Sequence, residues 1–113
     1  MTLGQKQRLF ARLIADHLIW LYENGYEVTL GDAYRDPRLF GEVGLKKGYG
    51  RSKSNHKVRL ALDINLFKDG QYLTETEDHR LSGERWKTLH ELCEWGGDFD
   101  DGNHYSLNYN GRR

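Results

Sequence analysis

The stretch SNHKVRLALDINLF, residues 54–67, contains the strand pattern on which the predicted sheet is centred. From residue 60 onward, large apolar residues alternate with small or polar ones, which is typical of a half-buried strand. The apolar face consists of Leu60, Leu62, Ile64 and Leu66. Asp63 lies on the other face, and a carboxylate inside a strand is costly to bury without a partner. We therefore expect Asp63 to be ion-paired, hydrogen-bonded or bound to a metal ion.

Length and composition predict one globular domain covering residues 1–113. The chain has 113 residues, of which 37% are hydrophobic and 30% charged, a composition that can form a single core. Seventeen basic residues balance seventeen acidic ones, so net charge indicates no general attraction to nucleic acid or membranes. A single cysteine, Cys93, excludes a disulfide within the chain and is typical of a reducing compartment.

Hydrophobic periodicity predicts a small α+β fold in which helices pack on a central antiparallel sheet. The first helix is expected to begin at a capping box formed by Thr2 and Gln5 and to stop at Gly25. Strands are predicted at 26–30 and 60–67, with a hairpin through the turn 68–70, and at 104–107; a second helix is predicted at 84–95. The segment 31–55 is long for a loop in so small a domain, and long loops are often functional.

Several histidines and other residues are expected to have structural roles rather than roles in chemistry. We expect His17 to pack within the first helix, and His79 and His90 to lie on the surface. In the second predicted helix, Cys93 is expected to be buried, with Ser82 as its cap and Gly96 as its stop. Tyr105 and Trp95 fit either the core or a substrate platform.

The C-terminal stretch DDGNHYS, residues 100–106, adds a second histidine and a second carboxylate. Its Gly102-Asn103 pair predicts a tight turn that places Asp101 just ahead of His104. Together with His56 and Asp63, these residues have the composition of a catalytic zinc site, with three ligands and a base. Spacing alone does not decide this, since each histidine could simply be hydrogen-bonded, and Asp63 could pair with a backbone amide or Arg59.

Three motifs resemble those of zinc peptidases that cut bacterial cell-wall peptides. SNHKVRLALD (54–63) is similar to the Ser-x-His-(x)6-Asp signature of D-alanyl-D-alanine carboxypeptidases, dipeptidases and the L-alanyl-D-glutamate peptidases used as phage endolysins. DGNH (101–104) resembles their acidic-x-x-His motif, and AYRD (33–36) their early Tyr-Arg motif. The motifs occur in family order and span about residues 26–107. The resemblance implies a hedgehog or D,D-peptidase-like fold.

The resemblance implies a role for each matching residue. One zinc ion would be held by His56, Asp63 and His104, with Asp101 as general base and acid. Arg35 would bind substrate or the developing oxyanion, and Ser54 would contact substrate or support a ligand. Arg59 stands where the family often has glycine, which affects the shape of the cleft and the choice of bond. An aspartate at 101, rather than glutamate, points to the endolysin branch.

The resemblance thus implies a peptidase of peptidoglycan stem peptides, acting at the L-alanyl-D-glutamate bond, with D-alanyl-D-alanine carboxypeptidase as the alternative. No signal peptide, membrane span or separate wall-binding domain is recognisable in the sequence. We therefore expect a monomeric phage or prophage lysis enzyme that stays in the host cytoplasm until its release to the periplasm or cell wall. Neither a nucleic acid partner nor stable membrane association is expected.

Other classes of function remain open. The run 45–59 contains six basic residues and no acidic one, so it could bind phosphates of nucleic acid or anionic wall polymers, or be a solvated loop. Two histidines and an aspartate can also bind iron in an oxygenase, although the usual close His-x-Asp pair is absent. A structural zinc site would need a fourth ligand, and Cys93 is poorly placed to supply it.

Overall fold

The structure is a computed structural model that describes residues 1–31 and 58–109. Within these ranges, two α-helices and a five-stranded antiparallel sheet form an α+β domain, which confirms the predicted fold class. In chain order the elements are α1 (Leu3–Glu23), β1 (Tyr26–Leu30), β2 (Ala61–Lys68), β3 (Gln71–Tyr72), α2 (Arg80–Thr88), β4 (Cys93–Trp95) and β5 (His104–Leu107). Short 3₁₀ helices at Thr76–His79 and Gly96–Phe99 precede α2 and β5.

Helix α1 begins and ends as its sequence predicts. The Gln5 amide donates to the Thr2 hydroxyl at 3.1 Å, and the Thr2 amide donates to the Gln5 side chain at 2.8 Å, which completes the capping box. The chain leaves the helix through Gly25, whose φ of 86° favours glycine. One stripe of the helix is buried against the core: Phe10, Leu13, Ile14, His17 and Leu21.

Strand β2 lies at the centre of the sheet, whose order is β1-β2-β5-β4 with β3 also paired to β2. The predicted alternation is confirmed, because the apolar residues of this stretch are all buried: Leu60, Leu62, Ile64 and Leu66. That face joins the helices in one core with Trp86, Trp95 and Tyr105. The opposite face of β2 carries Asp63 and Asn65. The sheet therefore packs on the helices with its apolar face, and its other face is partly polar.

The prediction of a helix at 84–95 is wrong. Helix α2 spans Arg80–Thr88, and residues 93–95 form strand β4, with Cys93 and Trp95 buried and Glu94 half-buried. Burial of every second residue is typical of a strand. The pairing of β4 with β5 supplies the backbone hydrogen bonds that a longer helix would have supplied. Ser82 therefore lies inside α2 and not at its cap, and Gly96 begins a 3₁₀ helix.

The contact between α2 and β4 depends on a glycine. A methyl group at Gly83 would overlap the indole ring of Trp95, which is fully buried. We expect Gly83→Ala to lower the free energy of unfolding by roughly 1–3 kcal/mol, because overpacking a dense core outweighs the gain in helix propensity. Urea denaturation measures this change. Gly4→Ala in α1 is the matched control, because a methyl there meets only the mobile end of Arg8 at 3.4 Å; equal stability of the two variants would contradict the prediction.

Within residues 1–31 and 58–109, none of the helices has the length and apolar character needed to cross a membrane.

Candidate functional site

Asp63 and His104 lie directly opposite each other on β2 and β5. The Ile64 amide donates to the Asn103 carbonyl at 2.8 Å, and the Leu107 amide donates to the Leu60 carbonyl at 3.0 Å. Since hydrogen-bonded and non-hydrogen-bonded pairs alternate in an antiparallel ladder, Asp63 and His104 form a non-hydrogen-bonded pair. Side chains approach most closely at such positions. Accordingly, Asp63 Oδ1 lies 3.5 Å from His104 Nδ1.

This separation fits two ligands of one zinc ion. Zinc bonds of ~2.0–2.2 Å at a tetrahedral angle place neighbouring donor atoms about 3.4 Å apart. The observed 3.5 Å matches that spacing and exceeds the ordinary range for an N–H···O hydrogen bond. The His104 side chain is 10% exposed and the Asp63 side chain 23% exposed, so both donors lie in a partly desolvated position that strengthens metal binding. The sheet itself fixes their spacing.

Asp101 lies in a turn that is braced on both sides. Its amide donates to the Gly96 carbonyl at 2.8 Å, and its carbonyl accepts from the His104 amide at 3.1 Å. The Trp95 indole donates to the Gly102 carbonyl at 2.7 Å and so fixes the turn to the core. The backbone of Asp101 is held next to the start of β5, while the residue remains exposed. A solvent-reaching carboxylate on a rigid backbone suits proton transfer.

The other predicted site residues lie outside the described residues. They are Arg35, Ser54 and His56, together with most of the basic run 45–59. Of the three predicted zinc ligands, the structure brings together Asp63 and His104. In the part of the chain that the structure describes, no group of three His, Cys, Asp or Glu side chains is arranged to hold a metal ion. Zinc binding therefore stays a prediction that needs a third ligand from beyond these ranges.

Two asparagines extend the polar face of the sheet, and the sequence prediction gave neither of them a role in the site. The Asn103 side chain donates to the Asn65 side chain at 3.0 Å, and Asn65 donates to the Thr29 hydroxyl at 3.3 Å. Thr29 and Asn65 are register partners on β1 and β2, so this chain of hydrogen bonds runs beside Asp63 on the same face. The signal was present in the alternation, because Asn65 follows Asp63 by two residues. These contacts fix the relative positions of three strands near the candidate ligands.

His79 is buried rather than on the surface, which corrects the sequence prediction. Its exposed fraction is 4%, and its Nε2 lies 3.4 Å from the Leu73 carbonyl. Burial lowers the pKa of His79, and the charges of Asp78 and Asp101 oppose that shift less strongly. The 3₁₀ helix Thr76–His79 turns the histidine inward, and the polar sequence around it gave no sign of this. His90, predicted at the surface, is half-buried, and its Nδ1 accepts from the Leu92 amide at 3.1 Å.

A second polar cluster lies in the core, on the face of β5 opposite His104. The Arg85 guanidinium lies 3.1 Å from His17 Nδ1, His17 Nε2 lies 2.9 Å from the Ser82 hydroxyl, and Ser82 lies 2.8 Å from the Tyr105 hydroxyl. Because guanidinium can only donate, His17 accepts at Nδ1 and donates to Ser82 at Nε2. Burial lowers the pKa of His17 to about 3, with a smaller contribution from Arg85. This cluster joins α1, α2 and β5, and the packing role predicted for His17 is confirmed.

Three further residues belong to the core. Trp95 and Tyr105 are 1% and 0% exposed, so they are not a substrate platform. Cys93 is buried as predicted, although on a strand, and burial raises the pKa of its thiol to about 12. A thiol with so high a pKa carries almost no thiolate at neutral pH and is a poor nucleophile.

Gly31 offers a way to disturb Asp63 without touching the core. A methyl group at Gly31 would lie 2.9 Å from the Asp63 Cβ, and the Gly31 amide donates to the Asp63 carbonyl at 2.8 Å. We expect Gly31→Ala to displace Asp63 and to weaken zinc binding by about 10-fold, in the range typical of changes that misorient a ligand. Zinc titration with a competing chelator measures the affinity. The control is Gly4→Ala, and an unchanged zinc affinity of Gly31→Ala would contradict the expected displacement of a zinc ligand.

In comparisons with known proteins, no protein-family model matches this chain, and no curated protein matches its sequence significantly.

Proposed function

We propose that this protein is a zinc-dependent peptidase that hydrolyses the stem peptides of bacterial peptidoglycan at the L-alanyl-D-glutamate bond. The observation that carries the proposal is the Asp63–His104 pair, whose donor atoms lie 3.5 Å apart across β2 and β5. Asp101 is the acidic residue three positions before His104 in the sequence. Its backbone carbonyl accepts a hydrogen bond from the His104 amide, so Asp101 lies next to this pair. The order of these residues agrees with the resemblance of the sequence to wall peptidases.

The ligands in this proposal are Asp63 and His104 from the sheet and His56 from the preceding segment. A zinc ion bound by them would supply a water molecule of lowered pKa and would polarise the peptide carbonyl. The chain's own contribution begins with the strand pair, which holds the two donors at a fixed distance. Burial of His104 beside Asp63 keeps bulk water from competing for the same positions.

Asp101 is the residue for proton transfer. Its carboxylate takes the proton of the attacking water and returns it to the departing amine, which is the ordinary task of a general base and acid. The braced turn limits its backbone movement, so the carboxylate returns to the same place in both steps. Arg35 holds the substrate or the negative charge that develops on the carbonyl oxygen, and Ser54 contacts the substrate. Both roles follow from the resemblance alone.

The biological setting is part of the same proposal. An aspartate at position 101 favours the L-alanyl-D-glutamate peptidases of phages, so we assign the protein to the lysis of a bacterial host. As a phage lysis enzyme it would remain in the host cytoplasm until a membrane pore released it to the wall. Its substrate is then the intact wall, and soluble stem peptides are adequate models of it.

The test is mass spectrometry of fragments released from purified peptidoglycan by the zinc-loaded protein. We expect new D-glutamyl amino termini with the unaltered protein and none with His104→Ala. His90→Ala is the matched control, because His90 lies outside the site and should be replaceable without loss of hydrolysis. Loss of terminal D-alanine would instead identify a D-alanyl-D-alanine carboxypeptidase. A protein that binds one zinc ion tightly but releases no fragment from any wall type would contradict the proposal.

A further inference from the structure

Helix α1 carries a second apolar stripe, which lies outside the core. Ala11, Ala15, Leu18 and Tyr22 follow one another at steps of four and three residues, so they share one face of the helix, with Ile19 at its edge. Leu18 is half-buried and the other four residues are exposed, Ile19 to 59% and Tyr22 to 54%. Single exposed apolar residues are common, whereas a contiguous patch of them is typical of an interaction surface.

An apolar groove lies beside the N-terminal half of this stripe. It has a volume of about 320 Å³, and its apolar wall is formed by Phe10, Ala11 and Ile14 of α1 and by Ala61 and Leu62 of β2. One water needs only roughly 10–15 Å³ of such space, so a large apolar side chain can enter the groove.

The C-terminal half of the stripe carries side chains of the kind that fit such a groove. Leu18, Ile19 and Tyr22 lie about two helical turns from it. The Tyr22 ring is held in place, because the Val28 amide donates to its hydroxyl at 3.3 Å. A side chain that is already ordered loses little entropy when it binds. Helix α1 therefore has a groove toward one end and a fixed aromatic ring toward the other.

The charges on α1 are also divided between its two ends. Arg8 lies in the N-terminal half and Glu23 is the last residue of the helix, and both are exposed. Arg12 and Asp16 between them pair with each other at 3.4 Å. Within residues 1–31 and 58–109, by contrast, neither Arg8 nor Glu23 forms a salt bridge. These two opposite charges are available to a partner.

We propose that this face of α1 is the interface of a symmetric dimer, in which α1 of one copy packs antiparallel on α1 of a second copy. A two-fold interface must be complementary to itself. Here the large side chains of each copy, Ile19 and Tyr22 among them, enter the groove beside Ala11 of the other copy. Ala15 lies midway between Ala11 and Ile19, so the two-fold axis passes close to it. Its small side chain lets the two helices approach closely.

The charges place the axis independently at the same position. Ala15 is also within one residue of the midpoint between Arg8 and Glu23. In the antiparallel pair, Arg8 of each copy therefore lies opposite Glu23 of the other, and two ion pairs flank the apolar contact. Shape and charge thus agree on one arrangement, and charge complementarity of this kind fixes the register of an interface.

The size of the interface sets the expected affinity. Helix α1 has 21 residues and is about 30 Å long, so one of its faces offers less than the roughly 800 Å² per partner of a standard interface. We expect a dissociation constant of about 10–100 µM. Dilute protein is then the monomer that the sequence predicts. A membrane is a poorer occupant, because interfacial helices have a basic polar face, whereas that of α1 carries Asp16 and Glu23 beside Arg12.

Sedimentation equilibrium at protein concentrations from micromolar to millimolar tests the dimer. We expect the mass to rise from one chain toward two, and Ala15→Glu to weaken association at least about 10-fold, because it brings two carboxylates together at the axis. Ala15 is exposed and glutamate is a good helix former, so the monomer keeps its fold. The matched control is Leu81→Glu on α2, which replaces another exposed apolar residue and should leave association unchanged. A mass of one chain throughout, or a dimer that Ala15→Glu does not weaken, overturns the proposal.

Exchange of the two charges tests the antiparallel arrangement. Arg8→Glu and Glu23→Arg should each weaken self-association by about 10-fold, because two attractions become two repulsions. An equimolar mixture of the two variants should associate as tightly as the natural protein, since both ion pairs are restored between unlike chains. A mixture that associates no better than either variant alone overturns the arrangement. Monomeric protein that binds vesicles of anionic lipid, and loses this binding with Ala15→Glu, would overturn the dimer and assign the stripe to a membrane.

Discussion

Asp101→Asn is expected to abolish most of the turnover of wall peptides while zinc stays bound. Loss of a general base and acid typically slows a reaction by about 10²–10⁴-fold, because the attacking water keeps its proton and the departing amine receives none. Asparagine is similar in size to aspartate but cannot exchange a proton at neutral pH. The measurements are kcat with a soluble stem peptide and the zinc content of the same sample.

The environment of Asp101 makes this variant a clean test. Its hydrogen bonds to Gly96 and His104 use backbone atoms, which asparagine retains, and the residue is exposed. The free energy of unfolding should therefore change by no more than about 0.5 kcal/mol. Asp98→Asn, an exposed carboxylate three residues earlier, serves as the control and should keep full turnover. An Asp101→Asn protein with undiminished kcat would remove Asp101 from the mechanism, and one without zinc would make Asp101 a ligand.

Local patterns in the sequence predicted the parts of the fold that depend on local physics. The Thr2 and Gln5 capping box and the alternation of β2 are confirmed, since both concern neighbours in sequence. The prediction failed at 84–95, where the residues that fit a helical stripe also fit a short helix followed by a strand. Pairing of β4 with β5 decides between the two, and that pairing is a tertiary contact.

The candidate site, too, was predictable from the sequence only in part. The sequence singled out Asp63 and His104 by type and by resemblance, but it could not place them opposite each other. Their closeness depends on the register of β2 with β5, and a shift of one residue would put them on opposite faces. His79 was missed for a related reason, because its burial comes from a 3₁₀ turn folded against the segment after β3.

The stability of the protein is expected to fall steeply in mild acid, because His17 is buried in its neutral form. Its pKa is about 3 in the folded protein, whereas the ordinary value is 6.5. Above pH 6.5 the ring is neutral in both states, and protonation favours neither of them. Between pH 6.5 and about 3, only the unfolded chain takes up this proton, so each unit of falling pH costs about 1.4 kcal/mol of folding free energy. Urea denaturation at a series of pH values measures the slope.

His17→Gln separates this effect from the titration of other groups. Glutamine can still donate to the Ser82 hydroxyl and accept from Arg85, but it has no proton to gain in this range. The variant should be less stable than the natural protein at about pH 7.5, by roughly 1–3 kcal/mol, because it packs less well against Trp20, Trp86 and Tyr105. Its stability should then decline less steeply as pH falls, so that the two curves converge toward about pH 5. The lowered pKa of His79 acts in the same direction in both proteins and cancels in the difference. Parallel curves would mean that His17 has the same pKa in the folded and the unfolded protein, which would contradict a ring buried in its neutral form between Arg85 and Ser82.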